Sequence, residues 1–186
     1  RGPDGTLYGT TSMGGANGVG VVYEVSHASS AWKQTILYTF QGKSDGQNPV
    51  GGVVIDRDGN LYGTTFDGGD NGGGTVYELS PSPAGWQFTT IYGFRGGYGG
   101  PYNKLTLVNG TLYGCTEAEG KHGFGSVFKL ARTNGHWVLT HLHAFTGGPG
   151  GAALYGSVAV DSQGNLFGTT NEGGSLNQGV VFEIIP

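Results

Sequence analysis

Six carboxylates fall in glycine-rich stretches from which a rigid scaffold could present them: Asp45, Asp67, Asp70, Glu117, Glu119 and Glu172. Two carboxyl groups held about 5–10 Å apart around a cleft would make a glycoside hydrolase, one as proton donor and one as base or nucleophile. No linear spacing pairs these six, and loop acids are mostly solvated, so no catalytic residue is assigned. His122 lies beside Lys121 in one such stretch, while His136, His141 and His143 cluster further along. His141 and His143, two apart on a predicted strand, are expected to share a face and could serve a metal that finds a third ligand. His143 also fills a slot held elsewhere by Tyr38 and Tyr92, which favours packing. Asp56-Arg57-Asp58-Gly59-Asn60 opens like a calcium loop but lacks the closing Glu, and an Asp-Gly hairpin turn needs no metal. No metal or cofactor is assigned. Tyr98, Tyr102 and Tyr155 lie in or near predicted connections, where an exposed ring can stack on a ligand. The candidate ligand-binding set is thus Asp67, Asp70, Tyr98, Tyr102, Glu119, His122, Tyr155 and Glu172.

These residues are positioned by a repeat. GTLYGTT begins at Gly5, GNLYGTT at Gly59, GTLYGCT at Gly110 and GNLFGTT at Gly164. In the same register, Gly20, Gly74, Gly125 and Gly179 open the apolar runs VVYEV, TVYEL, SVFKL and VVFEI. Trp32, Trp86 and Trp137 follow at one fixed offset, and Phe40, Phe94 and Phe145 at another. A period near 50 residues signals a propeller or a similar array. Each full copy contains four runs rich in β-branched and aromatic residues, bounded by Gly, Pro, Asn and Asp, which reads as four strands, A to D. In the third and fourth copies the A strands are NKLTLV (103–108) and GSVAVD (156–161).

The predicted fold is all-β, a β-propeller of about four four-stranded blades. The divisions are 1–48 (strands B, C and D), 49–100, 101–153 and 154–186 (strands A, B and C). It is expected to be incomplete at both ends, as part of a larger propeller or completed by another chain. Open edges of this kind pair with further strands, so other copies or flanking repeats are the expected partners. The aromatics repeated in strands B and C at identical slots are read as packing between blades. In a propeller the D–A and B–C connections share one face, and here those loops vary most in chemistry. Loops carry function on a rigid scaffold, so that face is the expected contact surface.

The repeat form GNLYGTT…GGxxGxGxVxEL…W…LYxF resembles the GloVer-type tandem repeats of secreted or surface-anchored bacterial proteins, over essentially the whole chain. The segment VVIDRDGNLYGTT is also similar to the matching strand pair of NHL-type propellers. The resemblance implies a bacterial, extracellular or cell-surface setting and carries no catalytic motif.

Composition narrows the function further. Nine Lys and Arg against thirteen Asp and Glu, with a formal charge of −4, form no basic patch for nucleic acid. No apolar stretch is long enough to span a membrane as a helix. Cys115, the one cysteine, takes a slot occupied by Thr10, Thr64 and Thr169 and reads as a small packed residue. The favoured reading is a noncatalytic extracellular module for adhesion, assembly, or glycan or protein binding. The alternative is a propeller hydrolase or lyase that acts on polysaccharide through loop carboxylates.

Overall fold

The computed structural model describes residues 1–28, 31–96 and 99–186, and it folds the four sequence copies into four antiparallel sheets. The first sheet runs β1 (Leu7–Thr11), β2 (Val21–Ala28), β3 (Ala31–Thr39). The second runs β4 (Val53–Ile55), β5 (Leu61–Thr65), β6 (Gly72–Ser82), β7 (Gly85–Arg95). The third runs β8 (Thr106–Val108), β9 (Thr111–Thr116), β10 (Ser126–Thr133), β11 (His136–Ala144). The fourth runs β12 (Ala159–Val160), β13 (Leu166–Thr169), β14 (Val181–Ile184). Each sheet is a meander of consecutive strands, and among the described residues none borrows a strand from another repeat. Neighbouring sheets meet at their inner strands, β1 with β4, β4 with β8 and β8 with β12, and at their outer strands, β3 with β7 and β7 with β11. The fold is all-β and propeller-like, with three-stranded sheets at either end of the array.

Among the described residues, the three hydrophobic cores all lie between blades. In the gap between the first two, Val22 and Phe40 of one blade meet Leu61, Tyr77 and Leu79 of the next. The same positions recur as Val76 and Phe94 against Leu112, Phe128 and Leu130. They recur again as Val127 and Phe145 against Leu166, Phe182 and Ile184. The key ring pairs repeat closely: Phe40–Tyr77 at 5.2 Å, Phe94–Phe128 at 5.2 Å and Phe145–Phe182 at 5.1 Å between centroids. The tryptophans work the same seam, Trp86 edge-on to Tyr8 at 6.2 Å and Trp137 edge-on to Tyr62 at 5.8 Å.

The glycine inside LYGTT has a steric cause. Gly63 sits directly opposite Tyr77 in the β5–β6 ladder, and the Tyr77 ring lies over it. A Cβ on Gly63 would come within 2.3 Å of the Tyr77 hydroxyl oxygen. Gly9 faces Tyr23, Gly114 faces Phe128 and Gly168 faces Phe182 in the same register.

A β-bulge in every fourth strand determines which way its aromatics point. Val76 pairs with Tyr92 but Tyr77 pairs with Thr90, leaving Ile91 as the extra residue; Leu37 and Leu142 are extra in the same way. The bulge reverses the phase of the strand. Trp86 and Phe88 therefore pack toward the preceding blade, and Tyr92 and Phe94 toward the following one. This corrects the expectation that His141 and His143 share a face. Leu142 bulges between them, so His141 stands opposite Phe128 and His143 opposite Val127, on opposite sides of the sheet. His143 packs edge-on to Phe145 at 4.7 Å, as Tyr92 does to Phe94 at 4.9 Å.

The inner strands are shorter than the sequence suggests, because the residues leading into them bond the neighbouring blade instead of their own sheet. Thr64 Oγ1 donates to the Asn103 carbonyl at 3.1 Å, and Cys115 Sγ donates to the Gly156 carbonyl at 3.4 Å. The Cys115 thiol thus performs the task of the threonine it replaces. Burial pushes its pKa up to about 12, which keeps it protonated.

Candidate functional site

The connection that enters a blade is zipped to that blade's own B–C connection. Gln47 and Asp67 exchange backbone hydrogen bonds of 2.8 and 3.2 Å, and Ala152 and Glu172 exchange bonds of 3.0 and 3.1 Å. At the middle junction, the Glu117 and Ala118 amides donate to the Gly100 and Gly99 carbonyls at 3.2 and 3.0 Å. Beside each zipper the entering chain turns at positive φ, at Asn48 (56°) and Ala153 (55°) in one slot and at Gly99 (93°) one position earlier in the register. The D–A and B–C loops are thereby fixed to each other on a single face.

Just inside this zipper, two slots meet across each junction, and their chemistry changes from blade to blade. One slot, in the segment that leads into the inner strand, holds Val50, Tyr102 and Tyr155. The other, directly after the threonine pair or its Cys-Thr equivalent, holds Ser12, Phe66 and Glu117. Phe66 lies edge-on to Tyr102, with centroids 5.3 Å apart at 83°. Tyr155 donates its hydroxyl proton to Glu117 Oε1 at 2.6 Å. Ser12 and Val50 share the wall of an open depression of about 580 Å³ with Thr10, Thr11, Met13, Pro49 and Tyr102. Tyr102 and Tyr155 also meet each other edge to face, 5.3 Å apart at 74°. They are 41% and 42% exposed. The hydrogen bond to Glu117, together with burial and the charges of Glu117 and Glu172, pushes the Tyr155 hydroxyl up to about 12.

The structure therefore gathers Tyr102, Tyr155 and the charge of Glu172 from the candidate set, and adds Phe66 and Glu117. Among the described residues, Asp67, Asp70, Glu119 and His122 share no hydrogen bond with this cluster. Asp67 Oδ2 accepts from the Asn48 side chain at 2.9 Å, a loop-tying role. Glu119 Oε1 accepts from the Arg95 amide at 3.3 Å, its Oε2 is buried without a partner, and burial raises its pKa. Asp70 and His122 are exposed, and Tyr98 lies outside the described residues. Asp45, buried, accepts from the Tyr38 hydroxyl and the Gln41 and Lys43 amides. Phe66 could have been found by aligning the four residues that follow the threonine pairs, since Ser12, Phe66, Glu117 and Asn171 share no chemistry.

On the opposite face, Asp56 accepts from the Asp58 and Asn60 amides, the Asn60 side chain and the Tyr62 hydroxyl, each at 2.9 Å. Burial alone would raise its pKa, but these donors together hold it below the ordinary value. These protein donors close the turn. Beside it Arg132 spans the junction to Glu78 at 3.1 Å and lies 4.8 Å over the Trp137 ring. Among the described residues no three His, Cys, Asp or Glu side chains gather closely enough to hold a metal ion.

The fold resembles that of a crystallised protein of unknown function from Dyadobacter fermentans DSM 18053. The TM-score is 0.51 at 14% identity, covering 92% of this chain and 57% of that one. The chain thus spans a little over half the length of that relative. No curated protein matches it. Among the described residues no helix is long and apolar enough to cross a membrane. Residues 1–186 match the Gloeobacter/Verrucomicrobia repeat throughout, and the chain belongs to that bacterial repeat family.

Proposed function

We propose that the chain is a noncatalytic, extracellular repeat module that binds glycan through the inner rim of its D–A/B–C face. The observation that carries this reading is the Tyr102–Tyr155 pair, two rings in edge-to-face contact that are about two-fifths exposed. Rigid aromatic surface binds a sugar face with little loss of conformational entropy. The loop carboxylates support the noncatalytic side of the reading. Asp45, Asp67 and Glu117 each accept a hydrogen bond that ties loops or rim together.

The test is a glycan array with the parent chain and Tyr102→Ala, run beside a polysaccharide hydrolysis assay. Binding without turnover, lost in the variant, is the expected result. Turnover, abolished by Asp67→Asn or Glu119→Gln, would replace this reading with the hydrolase.

Assembly is part of the same proposal. Leu7 and Trp32, 43% and 63% exposed, occupy slots that are covered between the inner blades, and so do Phe167 and Val181 at 37% and 82%. Another blade, from a second copy or a neighbouring repeat, would find the same interface there.

A further inference from the structure

We propose that the rim site selects ligands carrying an ammonium group, either a quaternary ammonium or a protonated amine, over neutral molecules of the same shape. The inference rests on the rim being the contact surface and adds the chemistry it selects. Phe66, Tyr102 and Tyr155 stand in series, each turned nearly perpendicular to its neighbour, at 83° and 74°. Each edge-to-face contact occupies one face of one ring only, and Tyr102 and Tyr155 remain 41% and 42% exposed, so ring surface is left for a ligand; negative ring faces attract organic cations.

The second observation is a fixed negative charge at the same place. Glu117 is held against the rim by the Tyr155 hydroxyl at 2.6 Å, and its own backbone is anchored to Gly100. The charge of Glu172 reaches the same hydroxyl. Aromatic faces and a held carboxylate both favour a cation, and neither favours an anion. A neutral sugar would use the rings but leave the carboxylate unanswered.

Two pairs of probes test this with the intact chain. Choline is compared with 3,3-dimethyl-1-butanol, its neutral isostere, and glucosamine with glucose, by chemical-shift titration of the tyrosine rings. Each cation is expected to bind at least about tenfold more tightly than its neutral partner, a preference that weakens as salt is raised. Preference for choline alone identifies a quaternary headgroup, and preference for glucosamine alone an amino sugar; either supports the proposal. Glu117→Gln, nearly isosteric and with its backbone bonds intact, is expected to lose most of the preference. Tyr102→Leu should lose binding altogether, with thermal melting reporting that it remains folded. Equal affinity for charged and neutral partners, or a preference unchanged in Glu117→Gln, overturns the inference while leaving a neutral-glycan rim in place. Absence of binding by all four probes overturns it too, and the array result with Tyr102→Ala then decides whether the rim binds anything.

Discussion

Phe94 and Phe128 belong to different blades, yet their ring centroids lie 5.2 Å apart and neither is exposed to solvent. Phe94→Ala is expected to destabilise the chain by about 3–5 kcal/mol, since it opens a cavity in a seam that cannot collapse without moving a whole sheet. Trp32→Ala, at a ring 63% exposed, should cost less than about 1 kcal/mol. Urea unfolding of the two variants measures the contrast. Similar losses for both would mean that the seam is not where stability resides.

Gly63 and Tyr77 form one steric unit. Gly63→Ala should destabilise by about 1–3 kcal/mol, because the new Cβ meets the ring above it. In the background Tyr77→Leu, which removes the ring, the same change should be much less costly. A double-mutant cycle reads the coupling directly, and strict additivity would refute the contact.

Gly99 and Ala153, one position apart in the repeat register, both turn the entering chain at positive φ. At φ 55° alanine occupies the left-handed region that non-glycine residues can reach, whereas φ 93 at Gly99 lies outside it. A Cβ on Gly99 would also fall 2.4 Å from that of Ala118. Gly99→Ala is expected to cost about 2–3 kcal/mol and Ala153→Gly less than about 1 kcal/mol, as compared by thermal melting. The reverse order would show that the entering turn tolerates more than its geometry implies.

Glu119 should make stability depend on pH in an unusual direction. Burial raises its folded pKa above the unfolded value, so the folded state holds the proton more tightly. Its contribution is therefore fully present below the unfolded pKa and is lost as pH rises through the folded one. Glu119→Gln, which cannot ionise and can still accept from the Arg95 amide, is expected to melt higher than the parent near neutrality. The gap should close below about pH 4. Identical melting curves at neutral pH would contradict this.

The repeat register made most of the architecture readable, because Gly9, Gly63, Gly114 and Gly168 and their facing rings recur at fixed offsets. Parity along the fourth strand misleads, however. Trp86, Phe88, Tyr92 and Phe94 are all an even number of residues apart, yet the bulge at Ile91 sends the first two to one interface and the last two to the other. Only the pairing of Tyr77 with Thr90 rather than Ile91 reveals it, and pairing is a property of two strands. The rim was half visible for a related reason. Tyr102 and Tyr155 stand out as aromatics in connections, whereas Phe66 and Glu117 matter only for what a neighbouring blade brings to them.

Because every core among the described residues lies in the gap between two blades, the array behaves as a one-dimensional lattice whose stability sits in its couplings rather than its units. Four blades enclose three such couplings, and a single blade in isolation encloses none. Excising one blade from either end should therefore remove one full coupling and lower the unfolding free energy in a discrete step, while arrays extended by further copies should melt progressively later. The unit that folds is then offset by half a repeat from the unit that recurs in the sequence.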